Sequence, residues 1–174
     1  MKRQTLILGA AGLAALGVGV GVGVGWQRRR DHVTANADAP PWSLQFPRPE
    51  GGVLLMSAFR GRPLVLNFWA TWCPPCVKEM PALDRFQREF SARGWQVVGL
   101  AVDQAGPVLE FLGRQPVSFA VGLAGFAGTD LSRHFGNTAG GLPFTVVFDR
   151  RGQVLHRKIG ETSFDELAGW AAQA

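Results

Sequence analysis

Between residues 64 and 93 the sequence changes character twice. Leu64 to Trp69 is a short apolar run of the kind that forms a buried central strand. After three intervening residues comes Cys73-Pro74-Pro75-Cys76. Beyond it Met80, Leu83, Phe86 or Gln87, and Phe90 recur at three- to four-residue steps, which predicts a helix to about Arg93, stopped by Gly94. Pro81 lies inside that helix and is expected to kink it. Cys73 thus follows a strand and stands where a helix begins.

These are the only two cysteines in 174 residues. A structural disulfide framework needs more of them, scattered along the chain. A tetrahedral zinc site needs at least two further ligands nearby, and His32, His134 and His156 show no such spacing to the pair. What remains is a redox-active dithiol. The thiolate is the reacting species, and unpaired N–H groups at a helix start, with the positive end of its dipole, stabilise it. Cys73 is therefore the expected nucleophile. Cys76, one turn later and facing inward, is the expected resolving thiol. Pro74 and Pro75 suit a first helical turn, where a missing N–H does no harm, and stiffen the ring. Trp72 either shapes the rim of the site or simply packs. No metal ligand set and no cofactor beyond the dithiol is expected.

The rest of the chain reads as an α/β pattern. Ser43–Phe46 and Val53–Met56 are candidate short strands, Trp95–Val102 a second buried strand, and Val108–Leu112 a helix. Phe119–Val121 is a further short strand and Leu131–Phe135 a helical turn closed by Gly136. Thr145–Asp149 and Val154–Ile159 form a strand pair around Arg151-Gly152. An amphipathic helix, Ser163–Ala172, closes the chain, with Ser163 as cap and Glu166 three residues later. This order favours parallel strands first and an antiparallel hairpin last.

The net charge of +5 belongs to the N-terminus. Lys2, Arg3 and Arg28 to Arg30 flank one apolar segment, whereas from residue 32 onward 13 basic residues face 12 acidic ones, which gives nucleic-acid binding little support. Leu6 to Trp26 is 21 residues without a charge, long enough to span a bilayer as a helix. Gly and Val alternate strictly from Gly17 to Gly25. Residues 1–27 are read as an uncleaved membrane anchor, with a cleaved signal ending near Ala35-Asn36-Ala37 as the alternative. Residues 28–41 are read as a flexible tether and 42–174 as the folded domain. Either route puts the domain outside the cytoplasm.

The segment Asn67-Phe68-Trp69-Ala70-Thr71-Trp72-Cys73-Pro74-Pro75-Cys76-Val77-Lys78-Glu79-Met80-Pro81 resembles the active-site segment of the membrane-anchored, thioredoxin-like bacterial reductases of the TlpA, ResA and CcmG/DsbE group. Gly141-Leu142-Pro143-Phe144-Thr145, ahead of Val146-Val147-Phe148-Asp149, is a second match about 70 residues on. The resemblance covers roughly residues 42–174. It implies a thioredoxin-like α/β fold, a central mixed sheet flanked by helices, in which Pro143 follows a cis peptide and faces the cysteines. The backbone of Leu142 would then pair with an extended substrate. Phe144 stands where many of the group have a small hydroxyl residue and is expected to alter the groove. Asn67 stands where cytoplasmic thioredoxins have an aspartate. Glu79, three residues after Cys76 and on its helix face, is implied to handle the Cys76 proton; otherwise it is a solvated surface glutamate. His134 and Lys78 read as packed or solvated side chains.

The resemblance implies reduction of disulfides in exported proteins, apocytochrome c among them, on the periplasmic side of the inner membrane, with electrons from a membrane thiol transporter. Two other readings stay open. One is an oxidant that introduces disulfides, which lies near −120 mV where thioredoxin lies near −270 mV. The other is a Cu(I)-handling module in which the pair is a soft thiolate site and Met80 stands close by.

Overall fold

The computed structural model describes residues 40–173. The expected anchor, and nearly all of the expected tether, lie outside these residues. Among the described residues, seven strands form two sheets. The first is a hairpin, β1 (Gln45–Pro47) with β2 (Val53–Leu55). The second has the order β5-β4-β3-β6-β7. Its strands are β3 (Leu64–Trp69), β4 (Gln96–Ala101), β5 (Ala120–Leu123), β6 (Phe144–Phe148) and β7 (Val154–Ile159). β3, β4 and β5 run parallel; β6 is antiparallel to β3, and β7 to β6. This is the expected parallel first half and antiparallel close. The helices are α1 (Pro74–Phe90), α2 (Ala105–Arg114), α3 (Gly128–His134) and α4 (Phe164–Ala171).

β3 is central and buried along its whole length. Its alternation divides the core in two. Val65 and Trp69 pack with Met80, Leu83 and Phe86 of α1, Val108 and Phe111 of α2, and Leu167 of α4. Leu64, Leu66 and Phe68 face the other way, among Trp42, Phe46, Leu54, Phe135, Phe144 and Phe148. Full burial of such side chains contributes about 1.5–3 kcal/mol each. Asn67 is the polar exception on β3, and it faces α1.

The buried stripe of α1 is the expected Met80, Leu83, Phe86 and Phe90, with Cys76 and Glu79 added at its start. The helix is continuous through Pro81 and passes into a 3₁₀ turn, Ser91–Arg93, which Gly94 ends at φ +90°. α4 carries the expected capping box, Ser163 with Glu166. α2 and α3 run longer than their apolar positions suggested, because only the inward face of a short surface helix is apolar.

Candidate active site

Cys73 is the N-cap of α1, in extended conformation, and Cys76 lies in its first turn. The two form a disulfide, with 2.09 Å between sulfurs and 5.3 Å between Cα atoms. Cys73 is 5% exposed and Cys76 0%, so an attacking thiolate has access to Cys73 alone. Pro74 and Pro75 occupy the first two helical positions and offer no N–H. Val77 N is bonded to Cys73 O. Of the donors a helix start normally presents, the Cys76 N–H is left for the Cys73 sulfur in the reduced state.

Glu79 is 1% exposed, which excludes a solvated surface role. Asn67 Nδ2 donates to Glu79 Oε1 at 2.7 Å, and Thr162 N donates to Oε2 at 2.7 Å. Asn67 Nδ2 also donates to Thr145 Oγ1 at 3.1 Å, and Thr145 and Thr162 hydroxyls lie 3.4 Å apart. Burial pushes the carboxyl up from 4.5 to about 7. The bonds from Thr162 and Asn67 pull against that shift, Glu161 adds to it, and Lys158 opposes it. The result is a buried group that holds or releases a proton near neutrality, on the helix face that carries Cys76.

The loop into Cys73 is held by Asp103, just beyond β4. Its Oδ2 accepts from Thr71 N at 3.0 Å and from Thr71 Oγ1 at 2.6 Å. Trp72, next in the loop, is 63% exposed, so ordinary packing does not account for it. On the other side, the Leu142–Pro143 peptide is cis. Pro143 O accepts from Gly160 N at 2.8 Å, and the buried Asn137 donates to Gly141 O at 2.8 Å. Leu142 packs against the core cluster that contains both cysteines.

Phe144 requires a correction. It does not shape the groove: it is 1% exposed and lies on the far face of the sheet, its ring centroid 6.0 Å from that of Phe68. The residue that follows it, Thr145, accepts from Asn67, which also holds Glu79. His134 contacts Phe135 edge-on, and the exposed Lys78 pairs with Glu161 at 2.9 Å. Met80, considered as a soft ligand, is wholly buried. Asp103, Asn137 and Thr162 are common polar residues in no motif, and Thr145 is only the last residue of the match around Pro143; the fold alone brings these four to the site.

The redoxin family model matches residues 34–169, most of the chain. The chain belongs to the redoxin family. Among similar redoxins, the thiol-disulfide oxidoreductase ResA of Bacillus cereus is 30% identical over 122 residues, which covers 70% of this chain and 68% of that protein. The thiol:disulfide interchange protein DsbE of Vibrio cholerae is 28% identical over 137 residues, 76% of this chain and 69% of that one. A solved thiol:disulfide interchange protein of the thioredoxin family, from Chlorobium tepidum, superposes with a TM-score of 0.68 at 27% identity, covering 79% of this chain and 96% of that one. The fold of this redoxin is thus thioredoxin-like, a central mixed sheet flanked by helices.

Proposed function

We propose that this thiol–disulfide oxidoreductase works as a reductase of exported proteins, apocytochrome c among its substrates. The observation that carries the reading is the buried Glu79 carboxyl, held by Asn67 and Thr162 one helical turn beyond the buried sulfur of Cys76. The Cys73 thiolate attacks a substrate disulfide, forms a mixed disulfide and expels one substrate thiolate. Cys76 gives its proton to the Glu79 carboxylate and attacks the Cys73 sulfur. The Cys73–Cys76 bond forms, the second substrate thiolate leaves, and the proton passes on to it. Two electrons have moved to the substrate. A membrane thiol transporter returns them by the reverse exchange.

Trp72, Pro74, Pro75, Leu142 and Pro143 supply the docking surface. The exposure of Trp72, Pro74 and Pro75, and the packing of Leu142 against the cysteine cluster, support that role. The apolar run Leu6–Trp26 anchors the domain on the periplasmic side of the inner membrane, a reading supported by its length and freedom from charge. The decisive variant is Glu79→Gln. It should flatten the pH dependence of mixed-disulfide resolution around pH 7, while Cys73 remains reactive toward a small alkylating agent. An unchanged pH profile would remove Glu79 from the mechanism.

A further inference from the structure

The near-neutral charge of the domain hides a segregation. Leu64, at the start of β3, pairs with Gln96 of β4 and Phe148 of β6, so the loops before β3, before β4 and after β6 meet at the sheet edge opposite the disulfide. Those loops expose Arg60, Arg62, Arg93, Arg150 and Arg151. Arg93 lies over the Phe90 ring at 4.8 Å, and the other four have no side-chain partner among the described residues. Elsewhere Arg48, Lys78, Arg85, Arg88, Arg114, Arg133 and Lys158 each pair with a carboxylate. Asp149, the carboxylate within these loops, is turned to the backbone: its Oδ1 accepts from Arg151 N and Gln153 N, both at 2.8 Å. A shallow cavity of about 190 Å³ opens at this pole between Pro63, Trp95, Asp149, Arg150 and Arg151.

The chain joins the domain at the same pole. Gly152, at φ +83°, leaves room for Pro40 and Trp42; a Cβ there would come within 2.6 Å of Pro40. Arg28, Arg29 and Arg30 lie ten to twelve residues upstream of Pro40 in sequence, next to the apolar run that ends at Trp26.

We propose that this arginine pole docks on an anionic phospholipid surface and so turns the Cys73–Cys76 disulfide away from the membrane. Guanidinium groups pair bidentately with phosphate, and basic side chains within a Debye length of an anionic leaflet are drawn to it. A single-stranded nucleic acid fits less well, because it asks for exposed aromatic platforms among the cations. None of the large exposed apolar side chains lies in these loops, and Trp95 is buried. The six residues of β3 separate the two poles by about 20 Å at a strand rise of about 3.3 Å. The proposal rests on the reading that the chain is held at a membrane.

The test uses the full chain in lipid nanodiscs, of phosphatidylcholine alone or with about a third phosphatidylglycerol, followed by backbone hydrogen exchange. In the anionic discs, segments 57–63 and 147–153 should exchange about tenfold more slowly. High salt should abolish the protection, as should the combined variant Arg60→Gln, Arg62→Gln, Arg150→Gln and Arg151→Gln. The Trp72–Cys76 loop should exchange equally in both discs. Equal exchange of the arginine segments in the two discs would overturn the proposal. So would protection by inorganic phosphate in the neutral discs, which would make the pole a small-anion site. If the chain does not stay with the discs, the anchor reading has failed, and flotation with phosphatidylglycerol vesicles still decides whether the arginine pole binds them. Reduction of the disulfide by dithiothreitol, followed in parallel, reports separately on the thiol chemistry.

Discussion

The buried carboxyl of Glu79 makes the stability of the oxidised protein depend on pH in a calculable way. In the unfolded chain it titrates near 4.5, and in the folded one near 7. Below pH 4.5 both states hold the proton and the group contributes nothing to the difference. Between the two values the unfolded state has released its proton while the folded state keeps it. The unfolded state then binds fewer protons, so stability falls as pH rises. Above about 7 both are ionised and the full cost of burying the charge is present. At about 1.4 kcal/mol per unit that cost is about 3 kcal/mol. Glu79→Gln removes it. The variant also loses acceptor capacity toward Asn67 or Thr162, but that offset does not change with pH. Urea unfolding of both oxidised proteins at steps from pH 4 to pH 8 reads the difference directly. The stability of the variant relative to wild type should rise by about 3 kcal/mol across the window from 4.5 to 7. A difference that stays constant over that window would refute the assignment of a raised proton affinity to Glu79.

Asn67→Ala removes a donor from Glu79 and from Thr145. It should destabilise the protein by about 1–3 kcal/mol and move the pH midpoint of Glu79 further up, checked by the same unfolding series. Asp103→Ala strands the Thr71 N–H. It should cost a similar ~1–3 kcal/mol and raise hydrogen exchange through Thr71–Cys73, with α4 unaffected. Pro75→Ala restores an N–H in the first turn facing the Cys73 sulfur. Stabilising the thiolate favours the reduced form, so the potential should become less negative by about 30–60 mV, one charge-assisted hydrogen bond converted at about 30 mV per 1.4 kcal/mol. A redox-buffer titration that finds no shift or a more negative value would contradict that reading of the two prolines.

The sheet and its helices were legible because burial leaves a period. The run Leu64–Trp69, the stripe Met80, Leu83, Phe86 and Phe90, and the box Ser163 with Glu166 each follow from local geometry, and each appears where its pattern stands. The cysteine pair was legible because two residues three positions apart carry the whole reaction. Phe144 was misread for a physical reason. Its place beside Pro143 suggested the groove, but strand residues alternate faces, and its register opposite Phe68 sends it into the far core. Asp103 and Thr162 were invisible because what matters is a contact across 32 or 83 residues, to Thr71 and Glu79 respectively. The arginine pole escaped notice because a net charge near zero says nothing about how charges are distributed among loops.

The central claim is a dithiol poised to reduce, and the potential of the Cys73–Cys76 couple tests it most directly. Titration against glutathione or dithiothreitol buffers should place it below about −200 mV, on the thioredoxin side of the scale. A value near −120 mV would make the protein a disulfide-forming oxidant and contradict the account.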